Sequence, residues 1–395
     1  MRMDARVGSV AANRLLILDD DPNALHYLGE VGRLCQYEVT LAGSTTEFQD
    51  LYGTFDPSMI ILDLRHDQGD GLDVMSFLGW QGCQVPIVLV SGVDARVLES
   101  ARRVGLARGL TIIGAAPKPV QFDVLGALLS AHREPEPDEW VQYLRRALDN
   151  CEFKVFYQPK IRIADGSVTG FEVLARWLHP IRGAISPDRF IPAAEAAGLI
   201  APLTDQVLAQ AVADHAGWAA ADVDVPIAVN VSPLLLTSPG LLNTLDHLIA
   251  LHRVPATGIT LEITESIAMR SSPQTMEVLS RLRLRGFGLA LDDFGTGYAN
   301  FSMLARMPIN ELKIDQSVIA DIKDRPDSQP IVQAIAALAR QLGLTVVAEG
   351  VEDLDICRWL RAVGVDQVQG FGVARPMPPS DVVRWLAERT TAPLA

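Results

Sequence analysis

One device recurs from end to end of this 395-residue sequence: a short run of Val, Ile and Leu that stops on a polar or charged residue. LLIL leads to Asp19, MIIL to Asp63, VPIVLV to Ser91, and TIIGAA passes through Pro117 to Lys118. Near-continuous runs of this kind read as strands of a parallel sheet covered on both faces, whose ligands sit beyond the carboxyl ends of the strands. The sharpest instance comes later, in LALDDFGTGY, where Asp292 and Asp293 stand side by side at the end of a buried strand. Adjacent carboxylates repel unless a cation lies between them. A lone Asp-Asp pair reads as a turn after a core strand. The same ending on strand after strand points to ligand binding.

In the first third of the chain, the polar groups that land beyond the strand ends are Asp19, Asp20, Asp63, Ser91 and Lys118. Asp19 and Asp20 can hold a divalent cation beside Asp63, which lets a phosphoryl group approach a carboxylate. Ser91 and Lys118 can then bind the phosphoryl oxygens. This set resembles a response-regulator receiver domain over residues 13–131, with LILDDDP, ILDLRHDQGDG, VSG and PKP as its motifs. The resemblance implies a doubly wound, flavodoxin-like parallel sheet in which a histidine kinase partner phosphorylates Asp63 with one Mg²⁺ bound. Two positions depart from the pattern: Ala115 stands where an aromatic switch residue is usual, and Asp67 where a proline is common. The phosphorylation chemistry is expected to be intact, while the usual relay of the signal is in question.

HREPEPDE, residues 132–139, mixes prolines with charges and reads as a stiff linker. WVQYLRRALDN after it has apolar residues at helical spacing, so the second domain is expected to open with a helix over part of residues 140–390. The roughly 255 residues that remain suit a (β/α)₈ barrel. Its strand candidates are KVFYQPKIR, GFEVLARW, PIAVNVS, ITLEITE, FGLALDDFG, ELKIDQS, LTVVAEGVE and VDQVQGFG. They deliver Glu172, Asn230, Glu262, Asp292 with Asp293, Lys313 with Asp315, Glu349 and Gln369 at or near their ends. A barrel brings these ends to one face. Oxygen donors without His or Cys suit Mg²⁺ or Mn²⁺ and argue against zinc. Two such ions form a clamp for in-line attack on phosphorus, with Lys313 as a fixed positive charge and Glu349 as a metal ligand and proton acceptor.

The second module is identified as a member of the EAL family, by EVLARW, NVS, EITE, DDFGTGY, KID, EGVE and QGF in family order across residues 140–390. Val173 replaces the alanine of the family name. The resemblance implies a TIM-like barrel with one strand antiparallel, and hydrolysis of cyclic di-GMP to linear pGpG. It implies two metals held by Glu172, Asn230, Glu262, Asp292, Asp293 and Glu349, with Lys313 and Glu349 serving the water and Asp315 supporting them. Gln158, Arg176, Glu352 and Gln369 would contact the dinucleotide, and Glu265 would hold the DFGTGY loop. After Tyr298 the match departs: Ala299 and Asn300 replace a pair of serines and Phe301 a leucine. That loop is tied to metal binding and dimer contacts in the family, so the chain is expected to form a homo-oligomer whose regulation is less legible than its chemistry.

Other classes fit less well. A non-catalytic cyclic di-GMP receptor would lack one or more metal ligands, and none is missing. A two-carboxylate glycosidase explains neither Asn230 nor Lys313 nor the aspartate pair. The net charge of −14 and the absence of a basic helix-turn-helix segment disfavour DNA and anionic membranes as partners. Cys35, Cys83, Cys151 and Cys357 form no metal spacing, no apolar run reaches the length of a membrane span, and the first residues lack the apolar core of a signal peptide. A reduced, cytoplasmic chain is the expectation.

Overall fold

The computed structural model describes residues 13–389, apart from 67–68, 93–94, 134, 136, 181, 238–239, 266–271, 296–303, 321 and 323–327. Asp67, Gly297, Tyr298, Ala299, Asn300 and Phe301 therefore lie outside the described residues. The chain divides into two compact units, Met1–Glu136 and Pro137–Ala395.

In the first unit, strands β1 (Arg14–Leu18), β2 (Glu38–Ala42), β3 (Met59–Asp63), β4 (Ile87–Ser91) and β5 (Ile112–Pro117) form a parallel sheet in the order β2-β1-β3-β4-β5. This is the flavodoxin-like order, and it places the ends of β1 and β3 side by side where the winding reverses. Strands β3 and β4 are buried at every position, as their unbroken apolar runs require. Strand β2 lies at the sheet edge with only Ala42 buried, so EVTLA lacks the continuous apolar run that betrays the other four. Helices on both faces complete the unit. The first of them, α1 (Pro22–Leu34), starts on Asp21, whose side chain accepts from Asn23 N at 2.9 Å, with Pro22 opening the first turn.

The second unit opens with α2 (Pro137–Asp149), which begins inside the stretch read as linker because a proline is tolerated in the first turn of a helix. Its eight barrel strands are β6 (Phe153–Arg162), β7 (Val168–His179), β8 (Ile227–Asn230), β9 (Ile259–Thr264), β10 (Gly288–Phe294), β11 (Glu311–Ile314), β12 (Thr345–Ala348) and β13 (Gln367–Val368). Strand β6 pairs antiparallel with both β7 and β13, which closes the barrel, and the other neighbours pair in parallel. The period of two then sorts the side chains. Leu261, Ile263, Leu289, Leu291, Leu312 and Ile314 join the apolar core. The alternate residues Glu262, Asp292 and Lys313 are buried too, but outside that core. Among the described residues, no helix is long and apolar enough to cross a membrane.

Candidate functional site

Lys313 is the centre of the barrel's polar layer. It is fully buried, and its Nζ lies 2.6 Å from Glu349 Oε1, 2.9 Å from Glu262 Oε2, 3.0 Å from Asp292 Oδ1 and 3.7 Å from Glu172 Oε2. Four carboxylates from four strands thus share one ammonium. Glu262 and Asp292 lie near strand ends and Glu349 just beyond one, whereas Glu172 sits within the long strand β7. Parallel register makes this convergence automatic: Asn230 stands opposite Glu262, and Thr264 opposite Asp292. Burial lowers the affinity of Lys313 for its proton, yet the surrounding carboxylates outweigh that and raise it well above the ordinary range.

One ammonium cannot neutralise so many acids. Burial pushes Glu172 and, far more, Glu349 above the usual carboxylate range, and Asp292 up to about 6. Glu262 behaves differently. Burial raises it as well, but Lys313 and Lys160 together hold it below its ordinary value. The remaining oxygens are also fixed: Asn230 Nδ2 donates to Glu172 Oε1 at 2.8 Å, and Gln369 Nε2 to Glu172 Oε2 at 2.5 Å. Gln369 Nε2 also reaches Gln158 Oε1 at 3.3 Å.

Backbone contacts between neighbouring loops hold this layer in place. Glu265 N donates to the Asp292 carbonyl at 3.0 Å, and Gly295 N donates to Glu265 Oε2 at 3.2 Å, at the start of the loop that follows β10. Glu349 N donates to the Ile314 carbonyl at 3.1 Å, and Asp315 N to the Phe294 carbonyl at 3.3 Å. Asp315 Oδ1 accepts from the backbone and hydroxyl of Ser317, and the residue lines the acidic cavity. Asp293 adopts a left-handed backbone at φ 56°, a conformation that aspartate tolerates better than most residues. Gly370, at φ 154°, lies so close to Val351 that an added Cβ would sit 2.3 Å from its backbone. Glycine is therefore required to lay the QGF segment against EGVE.

The donor set fits divalent cations. Glu172, Glu262 and Asp292 each offer an oxygen within 4.8 Å of the others, and so do Asp292, Asp293 and Glu349. Asp292 belongs to both groups, so it can bridge two ions. All donors are oxygen, which suits Mg²⁺ or Mn²⁺.

Above this layer is a cavity of about 370 Å³ lined by Gln158, Glu172, Asp293, Asp315, Glu349 and Glu352 among others. A second, more apolar cavity of about 580 Å³ contains Arg176 and Asn230 and shares Leu174 and Asp188 with the first. Sequence reasoning did not single out Lys160, Glu311, Asp188 or Phe371. Lys160 follows Gln158 by two on one strand, so the period of two carried a signal for it. Asp188 opens a helix rather than ending a strand, and nothing in its spacing marks it. Phe371 lines the acidic cavity, and the Arg375 guanidinium sits 4.4 Å from its ring centre.

The first unit has a smaller acidic site. Asp19, Asp20 and Asp63 each offer an oxygen within 4.8 Å of the others, and Lys118 Nζ lies 2.6 Å from both Asp19 Oδ2 and Asp63 Oδ2. Burial raises the Asp19 carboxyl above its ordinary range although Lys118 opposes it. Ser91 is fully buried at the end of β4.

Comparison with known proteins places these features. The EAL domain family matches residues 141–376. The cyclic di-GMP phosphodiesterase PA2567 of Pseudomonas aeruginosa is 41% identical over 234 residues, which cover 59% of this chain and 40% of that protein. The cyclic di-GMP phosphodiesterase RocR of the same organism is 33% identical over 328 residues, 80% of this chain and 84% of its own. A solved PaMucR phosphodiesterase in complex with c-di-GMP superposes with a TM-score of 0.59 at 38% identity, over 62% of this chain and 99% of that one. This chain therefore spans about two fifths of PA2567 and most of RocR.

Proposed function

The chain belongs to the EAL domain family, and from that membership we propose that its barrel hydrolyses one phosphodiester bond of cyclic di-GMP, giving linear pGpG. The observation that carries this reading is the buried Lys313 ringed by Glu172, Glu262, Asp292 and Glu349 beneath an acidic cavity. A phosphodiester anion entering so acidic a site needs positive charge, and the oxygen donors are arranged to hold it.

Glu172, Asn230, Glu262 and Asp292 would hold one divalent ion, and Asp292, Asp293 and Glu349 a second. When bound, the two ions make water more acidic and offset charge on the phosphoryl oxygens. Glu349, whose burial raises its carboxyl, accepts the proton of the attacking water. Lys313 supplies a fixed charge that needs no reorganisation during the reaction. The water oxygen bonds to phosphorus, the P–O3′ bond breaks, and the departing O3′ takes a proton from solvent, to which Glu349 returns the one it accepted. Asp315 supports the water from the rim.

The two cavities suit the two guanine bases. Gln158, Gln369 and Glu352 border the acidic cavity, where the Phe371 ring offers a face for stacking. Arg176 and Asp188 border the second, and a carboxylate such as Asp188 can accept both N–H groups of the guanine edge. The first unit would act as a receiver: a histidine kinase phosphorylates Asp63 with Mg²⁺ held by Asp19 and Asp20, while Ser91 and Lys118 bind the phosphoryl oxygens. We take this phosphorylation to set the rate of the barrel in a homo-oligomer.

The test is a product assay on the purified chain with cyclic di-GMP and Mg²⁺, Mn²⁺ or chelator. Metal-dependent pGpG that disappears in Glu172→Ala and Glu349→Ala is the expected result. Cyclic di-GMP bound but intact under every condition would make the barrel a receptor instead. For the receiver, equal rates with and without a phosphodonor, in the unsubstituted chain and in Asp63→Asn alike, would break the regulatory link.

A further inference from the structure

A second buried lysine lies inside the barrel, and the proposed chemistry gives it no role. Lys160, on the antiparallel strand β6, is 4% exposed, and its Nζ lies 2.6 Å from Glu311 Oε1 on β11 and 3.5 Å from Glu262 Oε1 on β9. Neither β9 nor β11 neighbours β6 in the sheet, so the side chain spans the barrel interior. Barrel interiors are normally packed with branched apolar residues. An ion pair there costs desolvation, and replacing a buried pair by well-packed apolar residues is often neutral or stabilising, so stability alone does not account for it.

Glu262 shows what the pair does. Its two oxygens have separate partners: Oε1 faces Lys160, and Oε2 is 2.9 Å from Lys313. Lys313 has three other carboxylates within reach, so it can give up Oε2 to an arriving cation. Lys160 has only Glu311 besides Glu262 among its ion-pair partners in the described residues, and it stays below the layer. We propose that Lys160, with Glu311 as its counter-ion, is a positioning residue that ties off Oε1 of Glu262 and so selects small octahedral cations over calcium. A carboxylate with one available oxygen serves Mg²⁺ or Mn²⁺, which need near-octahedral geometry. Ca²⁺ takes more ligands and commonly uses both oxygens of a carboxylate. This rests on the reading of Glu262 as a metal ligand.

The test uses the full chain without substrate. Free Mn²⁺ is followed by its electron paramagnetic resonance signal, and bound Mn²⁺ is then displaced with Mg²⁺ or Ca²⁺. The component lost in Glu262→Gln belongs to the barrel, since the receiver acids remain. The double variant K160M/E311Q removes both charges together and leaves no buried ion unpaired. It is expected to shift the Ca²⁺ to Mg²⁺ preference toward Ca²⁺ by about tenfold, the usual scale for a residue that orients a metal ligand. Glu311→Gln alone leaves Lys160 to Glu262 and is expected to move the preference the opposite way. If the double variant does not fold, this single substitution decides. A preference unmoved in a folded variant, or moved in the same direction by both, overturns the proposal and leaves the metal reading standing. If the unsubstituted chain shows no Mn²⁺ component sensitive to Glu262→Gln, both fall.

Discussion

The two acidic sites use the same parts in different proportions. In the first unit one lysine serves two aspartates, and the Lys118 side chain keeps a quarter of its surface exposed. In the barrel a fully buried Lys313 serves four carboxylates, with Lys160 and Glu311 beneath it. If the first unit is phosphorylated as proposed, its lysine must be able to move, and Lys118 is the more exposed partner beside the buried Asp19 and Asp63. A hydrolytic centre benefits from charges that are fixed before substrate arrives. On the proposed function, the difference would separate a site built to switch from one built to hold still.

The largest effect should come from breaking the rigid site. Lys313→Met leaves its buried carboxylates without their shared cation, and removing one partner of a buried ion pair costs about 3–5 kcal/mol. Losing a preorganised charge costs about 10²–10³ in rate. Urea unfolding and turnover of cyclic di-GMP measure the two losses. A variant of unchanged stability and rate would show that Lys313 is dispensable and that the barrel site is no more rigid than the receiver's.

Next in size is a proton effect on metal binding. Asp292 is pushed up to about 6 by burial and its acidic neighbours, so below that pH a cation must displace its proton. Glu349 is raised further still and Glu172 is raised too. The Mn²⁺ affinity of the barrel is therefore expected to fall already above pH 6 and by at least about tenfold for each pH unit below it, since one unit corresponds to about 1.4 kcal/mol per displaced proton. Titrations between pH 5 and 8 measure this, and an affinity flat across the range would mean that Asp292 binds the cation without losing a proton. A smaller effect is expected at the substrate rim. Asp188→Asn keeps the size of the side chain but replaces one acceptor with a donor at the edge where guanine is proposed to bind. KM should rise about tenfold with kcat nearly unchanged, as for the loss of one well-placed polar contact in binding.

These residues also mark what the sequence could reveal. Strand ends were legible because a buried strand writes a continuous apolar run, and a barrel turns each run's last polar residue toward one face. Glu172, Glu262, Asp292 and Lys313 were therefore visible as a group before any coordinates. Strand β2 was not, because an edge strand with only Ala42 buried has no such run. Asp188 and Phe371 reach the site from a helix start and a loop, where no periodicity points. Lys160 was hidden for another reason. It lies in a strand already recognised and shares a face with Gln158 by the period of two, but a lysine within a strand does not read as an interior residue, because barrel interiors are normally apolar.

The smallest expected effect tests the other half of the comparison. Lys118→Met removes a lysine from between Asp19 and Asp63. Both aspartates are buried, but the lysine keeps a quarter of its side chain exposed, so the cost falls toward the ~1 kcal/mol of solvent-open pairs rather than the about 3–5 kcal/mol of a fully buried one. Burial already raises Asp19 above its ordinary range, so in the variant this carboxyl can take a proton rather than remain an unpaired charge. Mg²⁺ at Asp19, Asp20 and Asp63 would supply the missing positive charge in another way. Urea unfolding of Lys118→Met should accordingly show a loss of about 1 kcal/mol without Mg²⁺ that largely returns with it. A loss as large as that of Lys313→Met, or one that Mg²⁺ leaves untouched, would place Lys118 among the fixed structural charges. The first site would then be as rigid as the second, and the contrast between a switching centre and a static one would no longer hold.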